Sequence, residues 1–314
     1  MRLFKMLGAV ASLSLLVPCA GAQDKLAGSI KADGSSTVYL ITEAMATNFK
    51  KLHPAVNITV GISGTGGGFK KFAAGETDIS DASRPIKDAE AKACKQNGIE
   101  FVELQVAWDG LAVVINKQNN WATKLTVEQL KKIWHPDTDK FKNAKKWSDL
   151  DPNWPNEKIE LYGPGADSGT FDYFTEVING KEKLTRPDYN ASEDDNVLVT
   201  GVERNKYAMG YFGMAYYEAH KDKLTAVAIK GAKSDNYVLP SADAVLYKKY
   251  TPLSRPLFIY VKMDSLKRPE VQEFCRFYLR RGDIVATVKY VPLSSLQQSK
   301  EKTKLEEALK VAAR

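Results

Sequence analysis

Three segments of this chain place Gly, Ser and Thr residues directly between a predicted strand and a predicted helix. They are 33–37 (DGSST), 63–68 (SGTGGG) and 163–170 (GPGADSGT). A chain that alternates strands and helices in this way is typical of an α/β architecture. Each helix then begins with unpaired backbone N–H groups and about half a positive charge, which together bind oxyanions. Simple helix capping explains one such turn equally well, but three in one chain favour a shared anion site.

Hydrophobic periodicity supports this alternation along the rest of the chain. Apolar residues alternate over 56–62, as in a strand, and recur at helical spacing over 38–52. Thr126 and Gln129 form a capping box that predicts a helix start. The other predicted strands are 101–106, 111–116, 159–162, 224–229 and 257–261; the other predicted helices lie around Cys94, over 126–134, 170–179 and 269–281, and from a cap at Ser299 towards the C-terminus.

The first 22 residues have the form of a secretory signal peptide. Arg2 and Lys5 precede an apolar run, 6–17, that is shorter than the roughly 20 residues needed to span a membrane. Residues 20–22 (AGA) then fit a cleavage site. A proline stands before Cys19, where a lipoprotein signal needs a small residue, so cleavage is favoured over lipidation. The mature chain is therefore predicted to be exported, in a Gram-negative cell to the periplasm.

Composition and charge exclude several classes of function. With 44% hydrophobic and 26% charged residues, the chain has globular proportions, and no later segment is apolar enough to span a bilayer. The net charge of +7, which becomes +5 without Arg2 and Lys5, is scattered. Nucleic-acid binding would need a basic stripe or patch, whereas mild basicity suits a small anionic ligand. Three His and three Cys without metal-ligand spacing predict neither a metal site nor a cofactor.

A fourth segment adds charge beside the three turns. Residues 80–85 read Ser-Asp-Ala-Ser-Arg-Pro. The planar guanidinium of Arg84 matches the oxygens of a phosphate group. A surface ion pair with Asp81 is the simpler alternative for this arginine.

The four segments together stand in the order seen in periplasmic phosphate-binding proteins of ABC transporters, a family that this chain resembles over essentially its whole mature length. Segments 192–196, 210–213 and 253–258 also look like that family. The resemblance implies a two-lobed α/β periplasmic binding protein of type II, with phosphate buried in the cleft between lobes joined by hinge strands. The implied organisation is a signal peptide (1–22), a first lobe (23–112), a second lobe (113–256) and a return to the first lobe (257–314).

The resemblance also implies a set of ligand residues. Many members carry an arginine four residues ahead of the Ser-Gly-Thr turn, where this chain has Pro164, so Arg84 is expected to supply the positive charge. Asp81 is the first choice for the carboxylate that contacts phosphate, and Asp167 is the reserve. The expected phosphate ligands are Ser36, Thr37, Thr65, Asp81, Ser83, Arg84, Ser168, Gly169 and Thr170.

The expected function is high-affinity binding of inorganic phosphate by a monomer in the periplasm, and delivery to the permease subunits of an ABC transporter, without catalysis. Sulfate, phosphite and arsenate remain alternative ligands, because hydroxyl and N–H donors serve any tetrahedral oxyanion. A sugar ligand and an adhesin-like surface role also remain open. A secreted hydrolase or phosphatase is disfavoured, because neither Gly-x-Ser-x-Gly nor a carboxylate–histidine cluster occurs in the sequence.

Two cysteines, Cys94 and Cys275, remain after removal of the signal peptide. In an oxidising compartment they predict a disulfide, which the two-lobe organisation would place within the first lobe. The alternative is a pair of buried free thiols.

Overall fold

The computed structural model of this chain describes residues 26–166, 168–192 and 194–314. The predicted signal peptide and Asp167 lie outside the described residues. Within the described ranges, every helix is too short or too polar to cross a membrane.

The described strands and helices alternate as expected. The strands are β1 (Gly28–Gly34), β2 (Val56–Ile62), β3 (Ile79–Ala82), β4 (Phe101–Asn116), β5 (Lys124–Thr126), β6 (Glu160–Pro164), β7 (Asn190–Ser192), β8 (Ala208–Gly213), β9 (Leu224–Ala226), β10 (Ala228–Lys230), β11 (Ser254–Lys262) and β12 (Val291–Pro292). The α-helices are α1 (Ser36–Leu52), α2 (Gly64–Ala73), α3 (Asp88–Gln96), α4 (Val127–Trp134), α5 (Gly169–Phe174), α6 (Asp195–Arg204), α7 (Met214–Ala219), α8 (Ala242–Leu246), α9 (Pro269–Arg280), α10 (Gly282–Thr287) and α11 (Ser295–Ala312).

A mixed sheet joins strands from both ends and the middle of the chain, in the order β2-β1-β3-β11-β4-β8-β6-β7. β1 is parallel to β2 and β3, whereas β11 is antiparallel to β3 and β4. The sequence predicted two strands over 101–106 and 111–116. They form the single strand β4, because the residues between them stay paired with β11, from Ala107 opposite Leu257 to Gly110 opposite Ser254.

The buried apolar residues divide along the chain at β4 and β11. One large cluster takes its residues up to Ala107 and again from Leu257 onward. A second large cluster takes its residues from Trp108 to Leu253. Two cores of this kind are what the predicted lobes require, although the lobe boundaries at 112 and 256 stay predictions.

Two helix starts show how local the sequence signals are. Thr126 caps α4 as predicted, since its Oγ1 accepts the Gln129 N–H at 3.2 Å and Gln129 Oε1 accepts the Thr126 N–H at 3.0 Å. The predicted cap at Ser299 is wrong, because this residue lies inside α11. The true cap is Ser294, which forms the same reciprocal pair with Gln297.

Two other predicted elements are divided in the structure. The helix expected over 170–179 consists of α5 followed by a π-helical turn at Thr175–Asn179, and it ends at Gly180 with a φ of 90°. The strand expected over 224–229 is split into β9 and β10, which pair with different strands, β4 and β5.

The predicted disulfide is wrong: Cys94 and Cys275 are both free and buried. Cys94 on α3 belongs to a small cluster that includes Phe258 of β11. Cys275 on α9 belongs to the first large cluster, which includes Ile259 of the same strand. Because successive side chains of a strand point to opposite faces of the sheet, the sheet itself separates the two thiols.

Candidate anion-binding site

The first predicted turn positions two hydroxyl side chains at the start of α1. Ser35 caps the helix, with its Oγ accepting the Val38 N–H at 3.5 Å, and its own N–H donates to the Asp81 carbonyl at 2.9 Å. Ser36 and Thr37 follow directly and line a cavity of about 340 Å³.

The third predicted turn reaches the same cavity from the start of α5. Ser168, Gly169 and Thr170 all line it, and Ser168 Oγ accepts the Thr170 N–H at 3.2 Å. Gly169 lies so close to α1 that an added Cβ would overlap Thr37 Oγ1 and lie 3.0 Å from the Thr37 nitrogen. Only glycine allows this approach. The structure therefore brings five of the nine predicted ligand residues together.

Arg255 on β11 links these two turns. Its Nη2 donates to Thr37 Oγ1 at 3.0 Å and to the Gly169 carbonyl at 3.3 Å. Its guanidinium carbon lies 3.8 Å from the centre of the Tyr173 ring, which is a cation–π contact. In the sequence, Arg255 lies within segment 253–258, which resembles the family, but no ligand role was expected of it. The available signal was a cation two residues before the apolar strand predicted over 257–261.

Asp109 on β4 completes a charged pair at the edge of the cavity. It lines the cavity, and its Oδ2 accepts a hydrogen bond from Arg255 Nε at 3.3 Å. Only 3% of Asp109 is exposed. Burial raises the pKa of the Asp109 carboxyl, while the charge of Arg255 opposes that rise. A cation and a carboxylate are thus both fixed beside the hydroxyl groups.

The second predicted turn is held together by its own polar contacts. Thr65 Oγ1 lies 3.0 Å from Ser83 Oγ and accepts the Ser83 N–H at 3.2 Å. Asp33 accepts hydrogen bonds from Ser63 Oγ and, at 2.7 Å, from Lys71 Nζ. Thr65 and Ser83 lie beside each other, but the lining of the cavity described above does not include them.

Asp81 does not occupy the position that its predicted role required. It is fully buried on β3, where its Oδ1 accepts a hydrogen bond from Thr42 Oγ1 at 2.9 Å. Thr42 also bonds to Tyr278 of α9, so the carboxyl points into the core between α1 and α9. Its Oδ2 has no hydrogen-bond partner among the described residues. Burial raises the pKa of Asp81 to about 7, opposed by the Thr42 hydrogen bond and increased by the charge of Asp33.

Arg84 also differs from the expectation. Its Nη1 and Nη2 donate to the two carboxylate oxygens of Glu90 on α3, at 2.9 Å and 2.7 Å. This forked pair is the best geometry for an arginine and a carboxylate. Neither Arg84 nor Arg255 lines the cavity itself, but Arg255 bonds to two residues that do, Thr37 and Gly169, whereas Arg84 is paired with Glu90. The alternative prediction for Arg84 was an ion pair with Asp81. Arg84 does form an ion pair, but its partner is Glu90.

The chemistry available at the cavity is that of an oxyanion site. It presents hydroxyl groups and the N–H groups of two helix starts, with Arg255 as a cation directly behind them. Among the described residues, no group of three or more His, Cys, Asp and Glu is arranged to hold a metal ion.

Comparison with known proteins places this architecture in a family. A family model described as PBP superfamily domain matches residues 20–281. Protein SphX of Synechocystis sp. is 48% identical over 267 residues, which cover 84% of this chain and 78% of the relative. The phosphate-binding protein PstS of Staphylococcus haemolyticus is 41% identical, over 85% of this chain and 81% of the relative.

A solved structure gives the same result at the level of the fold. The crystal structure of a possible phosphate binding protein from Planctomyces limnophilus is 49% identical to this chain. It superposes with a TM-score of 0.85, over 90% of this chain and 99% of the other. On these matches of sequence and fold, the chain belongs to the PBP superfamily.

Proposed function

We propose that this protein binds one inorganic phosphate ion between the starts of α1 and α5, and delivers it to the permease subunits of an ABC transporter. The observation that carries this proposal is Arg255, whose guanidinium contacts both turns from a buried position. The names of the relatives and of the solved structure support phosphate as the ligand. Capture and delivery involve no bond-making, so we propose a binding protein and not an enzyme.

In this proposal the ligand residues are Ser36, Thr37, Ser168, Gly169 and Thr170, with Arg255 as the cation. Hydrogen bonds from charged and backbone donors to an oxyanion contribute about 1.5–3 kcal/mol each. Phosphate would take over the donor of Arg255 that now reaches the Gly169 carbonyl. Thr65 and Ser83 stabilise the neighbouring turn. Arg84 and Asp81 are not among the proposed ligand residues.

Selectivity for phosphate would depend on Asp109. At neutral pH phosphate still carries a proton that it can donate to a carboxylate, whereas sulfate has none. A buried carboxylate that receives no hydrogen bond from the ligand lowers the binding affinity. Sites in which a buried acceptor pairs with a ligand proton therefore discriminate strongly against ligands without that proton. Asp109 lines the cavity and also accepts a hydrogen bond from the proposed cation, Arg255.

The cellular setting is proposed from the sequence together with the family. We propose export through the signal peptide 1–22, action in the periplasm as a monomer, and two lobes, one made of 23–112 and 257–314 and the other of 113–256. The division of the buried clusters between Ala107 and Trp108 supports the two lobes.

Calorimetric titration of the mature chain, stripped of any ligand it carries, tests the function. We expect one phosphate per chain, with arsenate next in affinity and weaker binding of phosphite and sulfate. Neither heat nor a thermal shift with phosphate would contradict the proposal. Preferred binding of sulfate would assign another oxyanion, and product release from a chromogenic phosphate ester would indicate a phosphatase.

A further inference from the structure

Lys289 has a left-handed backbone conformation, which residues with a side chain disfavour. It follows α10 with a φ of 72°, in the left-handed region where helices usually end with glycine. Its N–H donates to the Ala286 carbonyl at 3.0 Å, and the Tyr290 N–H donates to the Val285 carbonyl at 3.2 Å. Glycine would make the same turn with less strain, and Lys183 and Lys248 also have a positive φ, so the backbone conformation by itself assigns no role to the charge of Lys289.

The position of Lys289 supplies a reason for its charge. Lys289 lines the cavity that holds Ser36 and Thr37, and it is exposed. It is the one basic side chain among the described residues of that lining, where Asp109 and Asp195 are acidic. Arg255 contacts the turns and is only 8% exposed, so Lys289 is the basic side chain of this lining that is open to solvent.

We propose that Lys289 steers phosphate into the cavity and thereby raises the rate of association. This proposal rests on the proposed function, because it assumes that the anion enters here. An exposed charge at the mouth of a cleft attracts an oppositely charged ligand over about one Debye length, which is about 10 Å at 0.1 M salt. Lys289 is a positioning residue for entry, and the bound ion is held by the turns and Arg255.

Lys248 offers a matched control within the same chain. It too is an exposed lysine with a positive φ, 55°, directly after a short helix, and its N–H donates to the Val245 carbonyl at 3.0 Å. Its ammonium lies 5.7 Å from the centre of the Trp108 ring, and it does not line the cavity. K248G therefore removes one exposed lysine charge and relieves a positive φ, as K289G does.

The test is the association rate of phosphate, measured by rapid mixing with labelled phosphate and filtration, for the unmodified chain, K289G, K289R and K248G. At about 0.02 M ionic strength we expect K289G to bind about two- to fivefold more slowly than K248G. The difference should nearly vanish at about 0.5 M, where the charge is screened. K289R should restore the rate, and the dissociation rates should stay similar.

Two results would overturn the proposal. One is an equal association rate for K289G and K248G at low ionic strength. The other is a deficit in K289G that salt does not reduce, which would indicate a structural effect. Failure of the unmodified chain to bind phosphate at all would instead contradict the proposed function itself, so the two failures are distinguishable.

Discussion

Arg255 and Asp109 stand opposite each other on β11 and β4, with Arg255 Nε 3.3 Å from Asp109 Oδ2. The pair lies beside the positions where one buried cluster ends, at Ala107, and the other begins, at Trp108. Two antiparallel strands therefore fix a cation and a carboxylate at the junction of the two cores.

Removing the charge of Asp109 should reduce selectivity more than affinity. In D109N the acceptor for the phosphate proton becomes an amide, so phosphate and sulfate face nearly the same site. We expect phosphate affinity to stay within about tenfold, and the preference for phosphate over sulfate to fall at least about 100-fold. Competition calorimetry with the two ions measures both quantities.

The matched control for D109N is D81N, which makes the same chemical change in the core. We expect D81N to keep the phosphate-to-sulfate preference of the unmodified chain. Loss of that preference in D81N, with normal selectivity in D109N, would return the acceptor role to Asp81 and contradict this account.

The contact between Gly169 and Thr37 should be sensitive to a single methyl group. In G169A the new Cβ would overlap Thr37 Oγ1, so the two turns cannot approach as closely, and we expect phosphate affinity to fall at least about 30-fold, roughly the value of one charge-assisted hydrogen bond. G66A is the control, because a Cβ there would lie 3.8 Å from its nearest neighbour, Arg84 Nη2. Equal affinities of G169A and G66A would show that the turns need not meet.

Asp81 should make the stability of the fold depend on pH. Its pKa is raised from an ordinary value of 3.8 to about 7, so between these values the folded chain holds a proton that the unfolded chain has released. The contribution of Asp81 to the free energy of unfolding is therefore fully present below about pH 4. It decreases by at most roughly 4 kcal/mol as the pH rises to about 7. D81N should lack this loss.

Denaturant unfolding of the unmodified chain and D81N from pH 4 to pH 8 measures the effect. Other titrating groups are common to both proteins, so the difference between the two curves isolates Asp81. Curves that run parallel over this range would mean that Asp81 is ionised in the folded chain throughout.

Local signals in the sequence predicted the α/β fold. They did not predict which way buried side chains point or which distant residues pair. The turns at Ser36 and Ser168 were found because Gly, Ser and Thr mark helix starts locally. The pairing of Arg255 with Asp109 joins residues 146 positions apart, and nothing near either residue indicates it. Asp81 was misassigned because β3 alternates: Ser80 faces α2, whereas Asp81 faces α1.

The cation is the central element of the proposed site, and phosphate binding by R255A/D109N and by R84A, each compared with its own reference, tests it most directly. R255A alone leaves Asp109 buried without its partner, which can destabilise the fold by about 3–5 kcal/mol. The double variant R255A/D109N removes that unpaired charge, and D109N serves as its reference. Far-UV circular dichroism confirms that each variant is folded before titration.

Calorimetric titration with phosphate then decides where the charge resides. We expect R255A/D109N to bind phosphate at least about 100-fold more weakly than D109N, because at least one charge-assisted hydrogen bond and the buried positive charge are lost. R84A should stay within about threefold of the unmodified chain. Loss of phosphate binding in R84A, with full binding in R255A/D109N, would contradict the account and make Arg84 the ligand cation.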